Sequence, residues 1–429
     1  MGALGAMIRQ LPPVGTRLRY PPRSAQVLSS ATPIYWVNSG TAALALALLL
    51  VKYRHPEVSA PKVCIPGYGC PDMVSAAVFA GFRPVLVDIA HGEYRYQQDQ
   101  LEQAIDNEVL AVITPSLLGL PFPLALSEQQ SDQPAKPQVI HDCAQWLPEQ
   151  QGEFSPSACD SNLSILSMSR GKPVNLMGGG AMLSQQLSAD ESRYLQSQLS
   201  AAPSASPWQY WLKAKLLNLL LQPLPYGLLS LIPGLKLGET HYYPLEQISG
   251  LDSLRNRAFA FNAAHYLARD LKAQQQLQAE LPSHIQLESD GRRLLRFPLL
   301  LDSAEQSQQL LHALRRRGLG GSAMYQRALH HIKGVTEDVL LAGPQQHAED
   351  FAARLVTLPL HSGIKPKHLE QMIDTVNQLT GHDNKAVSQT GSSQERYSHE
   401  HFSQEHFSQE QASQEQPSKG QSSDPHSVG

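Results

Sequence analysis

From about residue 30 to residue 185 the chain repeats one pattern: a short aliphatic run, then a longer segment with helical spacing. "KVCIP" precedes "DMVSAAVFAG", and "RPVLVDI" precedes "QLEQAIDNEV". "LAVITPSLLG", "PQVIHDCAQ" and "SNLSILSMS" add three further apolar runs. Strands that are apolar at consecutive positions need cover on both faces, and alternating helices supply it. The pattern therefore predicts an α/β fold with a mostly parallel sheet between helical layers. "SGTAALALALLLVKY", an Ala/Leu run opened by Ser39 and Thr41, reads as a buried helix with capping hydroxyls.

The rest of the chain divides by composition. Residues 1–30 form an N-terminal arm ahead of a large domain, 31–250. That domain ends in a leucine-rich helical stretch whose segment 208–237 is apolar and interrupted by Pro223, Pro225 and Pro233. These prolines and two lysines make a membrane span unlike it, and a helical hairpin, buried or covered by a partner, is expected. Residues 251–380 read helix, strand, helix, loop, strand, helix, which predicts a smaller α+β domain. From 381 to 429 the chain is Ser, Gln, Glu and His, with "SQE" recurring at 393, 403, 408 and 413. Such a tail buries too little apolar area to offset its ordering entropy and is expected to be disordered. Its His399, His401 and His406 are read as solvated, and no metal site is expected.

A net charge of -4 gives no global basic footprint for nucleic acid. Cys64, Cys70, Cys143 and Cys159 have neither C-x-x-C spacing nor a metal pattern, and read as reduced thiols of a cytoplasmic protein. "MGALGAMIRQLPPVG" lacks the marks of a signal peptide, and Ala6 stands where a myristoylation signal requires Ser or Thr.

Ligands of parallel α/β sheets bind beyond the carboxyl ends of the strands. Thr41, Tyr68, Asp142 with Gln145, Ser167 and Lys172 all fall at such ends or at a helix start. Alone, each has a structural reading: Ser39–Thr41 as a cap, Asp142 as a cap of the next helix, Lys172 as a turn lysine. Lys172 in "SMSRGKPVNLMGGGAM" fails the P-loop pattern, and no G-x-S-x-G is present. Together and in this order they fit pyridoxal 5'-phosphate (PLP). That cofactor needs a lysine for its aldehyde, a carboxylate at its pyridine nitrogen, phosphate donors at a helix start, and a flat side chain over its ring. Lys172 would hold the aldehyde and then act as general base. Gly178 to Gly180 would let backbone approach a bulky cofactor.

These segments resemble the DegT/DnrJ/StrS type of PLP-dependent aminotransferase, over residues 35 to 380. "NSGTAALALAL" is similar to the family's S-G-T-x-A-L helix, which implies Gly40 and Thr41 at the phosphate. "VIHDCAQ" is similar to V-I-E-D-A-A-Q, implying Asp142 at the pyridine nitrogen and Gln145 at the ring hydroxyl. "SMSRGKPVNLMGGGAM" resembles S-F-x-x-x-K-x-x-x-x-G-E-G-G-M, which makes Lys172 the covalent anchor and Ser167 a phosphate donor. "IPGYGCPDMVSAAVFAGFRPVLVDI" and "VTLPLHSGIKPKHLEQMIDTV" match two further blocks. The resemblance implies fold type I, with a mostly parallel seven-stranded sheet, and a homodimer. It implies transfer of an amino group from an amino acid, glutamate, to a nucleotide-linked 4-keto sugar in surface polysaccharide or related biosynthesis. The related sugar 3-dehydratases carry histidine in place of the lysine, so Lys172 argues against that branch.

The sequence departs from the family at four places. Gly178 replaces a glutamate. Cys70 stands at the ring-stacking aromatic, so that stacking passes to Tyr68 or is lost. Thr240 in "GETHYYPLEQ" takes the place of an asparagine that reaches the phosphate of the other subunit. The segment 208–237 is longer than in typical members, and would widen the subunit interface or close over the substrate. Arg327, His330 and His331 in "YQRALHHI" are candidate acceptor contacts, with a surface role equally open. The competing expectation is a protein of this fold that does not transaminate and serves in regulation or assembly.

Overall fold

The computed structural model describes residues 8–22, 24–25, 27–28, 30–124, 126, 136–159, 161–232 and 238–381. The Ser/Gln/Glu/His tail with its histidines, the first seven residues and the end of the apolar segment (233–237) lie outside the described residues.

The strands are β1 (Ile34–Val37), β2 (Lys62–Pro66), β3 (Arg83–Val87), β4 (Val109–Pro115), β5 (Gln138–Asp142), β6 (Glu149–Gln150), β7 (Glu153–Phe154), β8 (Leu163–Ser167), β9 (Gly180–Ser184), β10 (Arg296–Leu300), β11 (Leu340–Leu341) and β12 (Leu355–Pro359). The main sheet has the order β1-β9-β8-β5-β4-β2-β3-β11. Only β9 opposes its neighbours; the other pairings in this sheet are parallel. This is the expected seven-stranded, mostly parallel sheet, extended at one edge by the two residues of β11. β4 lies at its centre and is buried from Val109 to Thr114, as its unbroken aliphatic run requires.

The helices are α1 (Gly40–Arg54), α2 (Asp72–Phe79), α3 (Gln98–Ala104), α4 (Ala189–Ser197), α5 (Pro207–Leu220), α6 (Pro223–Ser230), α7 (Ser253–Leu267), α8 (Lys272–Glu280), α9 (Ala304–Arg316), α10 (Gln346–Arg354) and α11 (Pro366–Thr380). α1 is buried nearly all round because its Ala/Leu sequence has no polar face. Ser39 caps it, its hydroxyl accepting the Ala42 N–H at 3.0 Å, and Lys52 and Arg54 complement the dipole at its far end.

The C-terminal part carries the antiparallel pair β10–β12, with α9 and α11 packed together beside it. It is joined to the main sheet by β11 and by Asp88, just beyond β3. Asp88 accepts from His347 N at 3.0 Å and Ala348 N at 2.8 Å, and so caps α10 from a distant strand end. α10 and β11 escaped the sequence reading, the first inside a loop-like stretch and the second because two residues carry no period.

Glycines bring α1 against the sheet. At Gly180 a Cβ would lie 2.1 Å from the Ser39 carbonyl oxygen, and at Gly40 one would lie 2.6 Å from Ser167 Cβ. Gly178, Gly179 and Gly180 therefore do not open space for a ligand. Gly178 faces Arg255, Gly179 faces Leu251, and Gly180 lets β9 pass against the start of α1. We expect Gly180→Ala to cost about 3 kcal/mol or more, since backbone on both sides must move. Gly171→Ala, at φ 79 with nothing within 4 Å, should cost only about 1–2 kcal/mol of backbone strain. Equal shifts of the two variants in thermal unfolding would contradict this packing.

Candidate active site

The carboxyl ends of β2, β4, β5 and β8 lie along one edge of the sheet, and the start of α1 points at the same edge. Register places Pro115 beside Asp142, and Asp142 beside Ile165, so the strand-end residues converge across neighbouring strands. The cleft they form is lined by Gly40 and Thr41 from α1, Cys70, Asp142, Gln145, Ser167 and Lys172. Asp72, at the start of α2, and Ser116, just beyond β4, also line it.

Lys172 is half-buried in the loop between β8 and β9, and its amine has no hydrogen-bond or ion-pair partner among the described residues. Asp142 ends β5 and is only 8 % exposed. Its Oδ1 accepts from Ala144 N at 2.8 Å. Burial pushes its carboxyl above the usual carboxylate range; the Ala144 N–H and the charge of Lys172 oppose this, and Asp72 adds to it. One wall of the cleft thus carries a buried carboxylate that favours a hydrogen-bonded cation, and the lysine loop carries a free amine.

The opposite requirement is met at α1. Capping by Ser39 uses the Ala42 N–H, and the first helical bond uses that of Ala43. Ser39 and Gly179 pair in a parallel bridge, with Gly179 N donating to Asn38 O at 2.9 Å, which turns the Gly40 N–H toward the sheet; the Thr41 amide is left at the positive end of the helix dipole, and Gly40 itself lies against the Ser167 side chain. A helix start beside a serine hydroxyl is an arrangement that favours an anion. Gly40 is required there because any side chain would strike Ser167.

Gln145 is held at both ends. Its Oε1 accepts from Leu118 N at 3.0 Å, and its Nε2 donates to the Tyr325 hydroxyl at 2.9 Å. Leu118 has a left-handed backbone, φ 59, and the Gln145 bond helps hold that strained turn. Among the described residues, one N–H of the Gln145 amide has no partner.

Other candidate residues lie elsewhere. Tyr68 is in the core, not in the cleft: its ring packs edge-on against Phe351 at 4.9 Å and Tyr325 at 5.7 Å, and its hydroxyl donates to the Tyr325 carbonyl. The physical reason is that its large ring fills the space between the sheet and α10, leaving Cys70 at the cleft wall. None of the lining residues is aromatic. Thr240 is half-buried in an extended segment and does not line the cleft. Neither do Arg327, His330 and His331. The two imidazoles instead share one carboxylate oxygen, Glu349 Oε1, at 2.9 and 3.0 Å.

Ser116, Asp72 and Tyr325 were missed in the sequence. Ser116 follows a parallel strand directly, so the strand-end rule would have found it; its Oγ lies 2.8 Å from His141 Nε2. Tyr325 reaches Gln145 across 180 residues, and no local pattern marks it.

The strand order, the cleft at the strand ends and its lysine, aspartate and anion cup define the class: a fold type I α/β enzyme of the aminotransferase kind. The family model described as the DegT/DnrJ/EryC1/StrS aminotransferase family matches residues 34–377, and the chain belongs to that family. Among solved structures, it is similar to one from Streptococcus pneumoniae described as a sugar aminotransferase in its PLP form, at 18% identity and a TM-score of 0.58, covering 84% of this chain and 93% of that one. A DegT DnrJ EryC1 StrS aminotransferase from Brucella abortus is 17% identical at a TM-score of 0.54, covering 81% and 86%. An E. coli GDP-4-keto-6-deoxy-D-mannose-3-dehydratase is 13% identical at 0.57, covering 80% and 87%. At these identities the likeness concerns the fold. No curated protein matches the chain. No helix among the described residues is long and apolar enough to cross a membrane.

The electrostatics of Asp142 give a stability prediction. A carboxyl whose folded pKa is raised above the unfolded value of about 3.9 costs nothing below that value, and its cost grows as pH rises through the folded pKa. Ligand-free Asp142→Asn protein is therefore expected to melt above wild type at neutral pH, with the difference vanishing toward about pH 3. A variant melting at or below wild type at neutral pH would contradict the burial cost.

Proposed function

We propose that the chain is a PLP-dependent aminotransferase that takes an amino group from an amino acid, glutamate, and delivers it to a nucleotide-linked 4-keto sugar. The observation that carries this reading is the convergence of Lys172, Asp142 and the Gly40–Thr41–Ser167 cup on one cleft. Their chemistry fits the cofactor's three handles: an amine for its aldehyde, a buried carboxylate for its ring nitrogen, and an anion cup for its phosphate. PLP bound there supplies an aldehyde that captures amines and an electron-poor ring that accepts the electron pair of a substrate carbon.

The remaining work falls to the chain. Lys172 anchors the aldehyde through Nζ, and when displaced that same amine carries a proton to and from the substrate carbon. Asp142 holds the proton on the ring nitrogen; the burial that raises its own pKa makes it a strong acceptor for that N–H. The Thr41 amide and Ser167 fix the phosphate, and the remaining N–H of Gln145 is available to the ring hydroxyl. With Tyr68 in the core, packing on the ring falls to Cys70. Burial pushes its thiol up to about 12, so it stays protonated and acts as a small apolar group.

Family membership supports an enzyme that modifies sugars. Glutamate as donor, the keto acceptor, a homodimer and a cytoplasmic location belong to the proposal. Four cysteines, none of them in a disulfide among the described residues, agree with a reducing compartment. A second reading, a cofactor-binding protein without transamination, is favoured by the cleft's lack of an aromatic side chain.

Purified protein is expected to show a visible absorbance band from lysine-bound cofactor, absent in Lys172→Ala. Glutamate should bleach the band in a single turnover, and the Ala variant should lose roughly 10³-fold or more in rate. A band that persists in Lys172→Ala would overturn the anchor; a band that glutamate leaves unchanged would favour the second reading.

A further inference from the structure

Most of the large apolar side chains that this fold leaves in solvent lie in one place. Of the fifteen that are exposed among the described residues, nine fall between Trp208 and Ile232, on α5, on α6 and just after it. A folded chain rarely gathers so much exposed apolar surface unless something covers it.

The two helices present this surface in the same way. In α5 the inner line is Tyr210, Ala214 and Leu217, which packs with Leu18 of the N-terminal arm. Opposite it stand Trp208, Leu212, Leu216 and Leu219, each 50–65 % exposed. In α6 it is Gly227 that lies against the arm, where a Cβ would fall 2.1 Å from the Ile8 carbonyl oxygen. The outer side carries Leu224, Leu228 and Leu231, at the i, i+4 and i+7 positions of one stripe. Asn218 fastens the arrangement, accepting from Leu18 N at 3.0 Å and donating to Leu18 O at 2.7 Å. Neither helix can turn its leucines inward without losing this packing.

Charge decides what covers them. The chain holds 38 acidic residues, yet none lies between Glu191 and Glu239, whereas Arg193, Lys213, Lys215 and Lys236 do. Lys213 and Lys215 are exposed, and helical spacing sets them on the two flanks of the outer apolar face of α5. Lys215 Nζ lies 5.5 Å from the centre of the Trp211 ring. Leucine framed by lysine and tryptophan, without a carboxylate, suits an anionic bilayer surface. The leucines enter the acyl boundary, the indoles sit at headgroup level, and the lysine amines reach lipid phosphate over their own apolar stems. The helices have 14 and 8 residues, whereas a span takes about 20, so the contact is in the plane of the surface.

Other covers fit less well. A two-fold contact would set this patch against itself, lysines facing lysines with no acid in the segment to pair them. The tail 381–429 contains no Leu, Ile, Met or Trp to pack on the leucines.

We propose that the outer face of α5 and α6 is a docking surface for an anionic lipid bilayer. The inference is independent of the reaction assigned to the cleft.

The test is flotation of the full chain with vesicles of phosphatidylcholine alone or mixed with phosphatidylglycerol. The protein is expected to float with the mixed vesicles and much less with the neutral ones, and high salt should shrink the difference. A Leu212→Gln/Leu216→Gln/Leu228→Gln variant, changed only at exposed positions, should keep its melting temperature and bind the mixed vesicles at least about tenfold more weakly. Lys213→Gln/Lys215→Gln should lose the preference for the mixed vesicles. Absence of flotation, equal binding to both vesicle types, or unchanged binding by the leucine variant would overturn the proposal. So would a wild type that stays off vesicles while the leucine substitutions turn a dimer into a monomer without lipid, because the face is then a subunit interface.

Discussion

The structure depends on how closely α1 approaches β8 and β9. Gly40 sits where a side chain would occupy the position of Ser167, and Gly180 sits where one would strike the Ser39 carbonyl. These two absences of a Cβ bring a helix N-terminus to within contact of two strand ends. Every other feature of the cleft follows from that proximity. The anion cup is the start of α1 beside Ser167, and the lysine loop is the connection that lets β9 return alongside β8. Asp142 is the end of the next parallel strand. A single methyl group at either glycine would push the helix off the sheet and open the cup.

The site carries an electrostatic tension that suits its chemistry. A carboxyl buried without an adjacent cation destabilises the protein alone, and a guanidinium or ammonium placed permanently beside it would relieve the cost. The chain provides neither as a direct partner: Lys172 lies in the same cleft but makes no ion pair with it. In the function proposed above, the compensation comes from the pyridinium of bound PLP. Stability is given up locally there to hold a group ready for a ligand of opposite charge.

Much of this was legible in the sequence because it depends on short-range signals. The aliphatic runs of β2 to β5 and β8 announced a covered parallel sheet, and Ser39 followed by an Ala/Leu run announced a buried capped helix. Gly40, Thr41, Asp142, Ser167 and Lys172 were found because strand ends and helix starts are where such folds bind ligands. What failed depended on packing. Nothing local tells that Tyr68 turns into the core and Cys70 into the cleft, since the choice is made by the space left by Phe351 and Tyr325. The glycines after Lys172 were assigned to the ligand when their neighbours are backbone and Leu251. The segment 208–237, expected to be a helical hairpin either buried or covered by a partner, does form a helical pair over its described residues. α5 and α6 bury only one face, through Tyr210, Ala214 and Gly227, and leave Trp208, Trp211 and Leu216 exposed in the single chain. Its link to the arm through Asn218 joins residues 200 positions apart and has no sequence signature.

The central claim is that Lys172 is the residue to which the cofactor is covalently attached. Borohydride reduction of the cofactor-loaded protein makes that attachment permanent, and peptide mapping by mass spectrometry then locates it. The account predicts a phosphopyridoxyl group on the peptide containing Lys172 and on no other. A label on another lysine, or none after reduction of protein that shows the visible band, would contradict it.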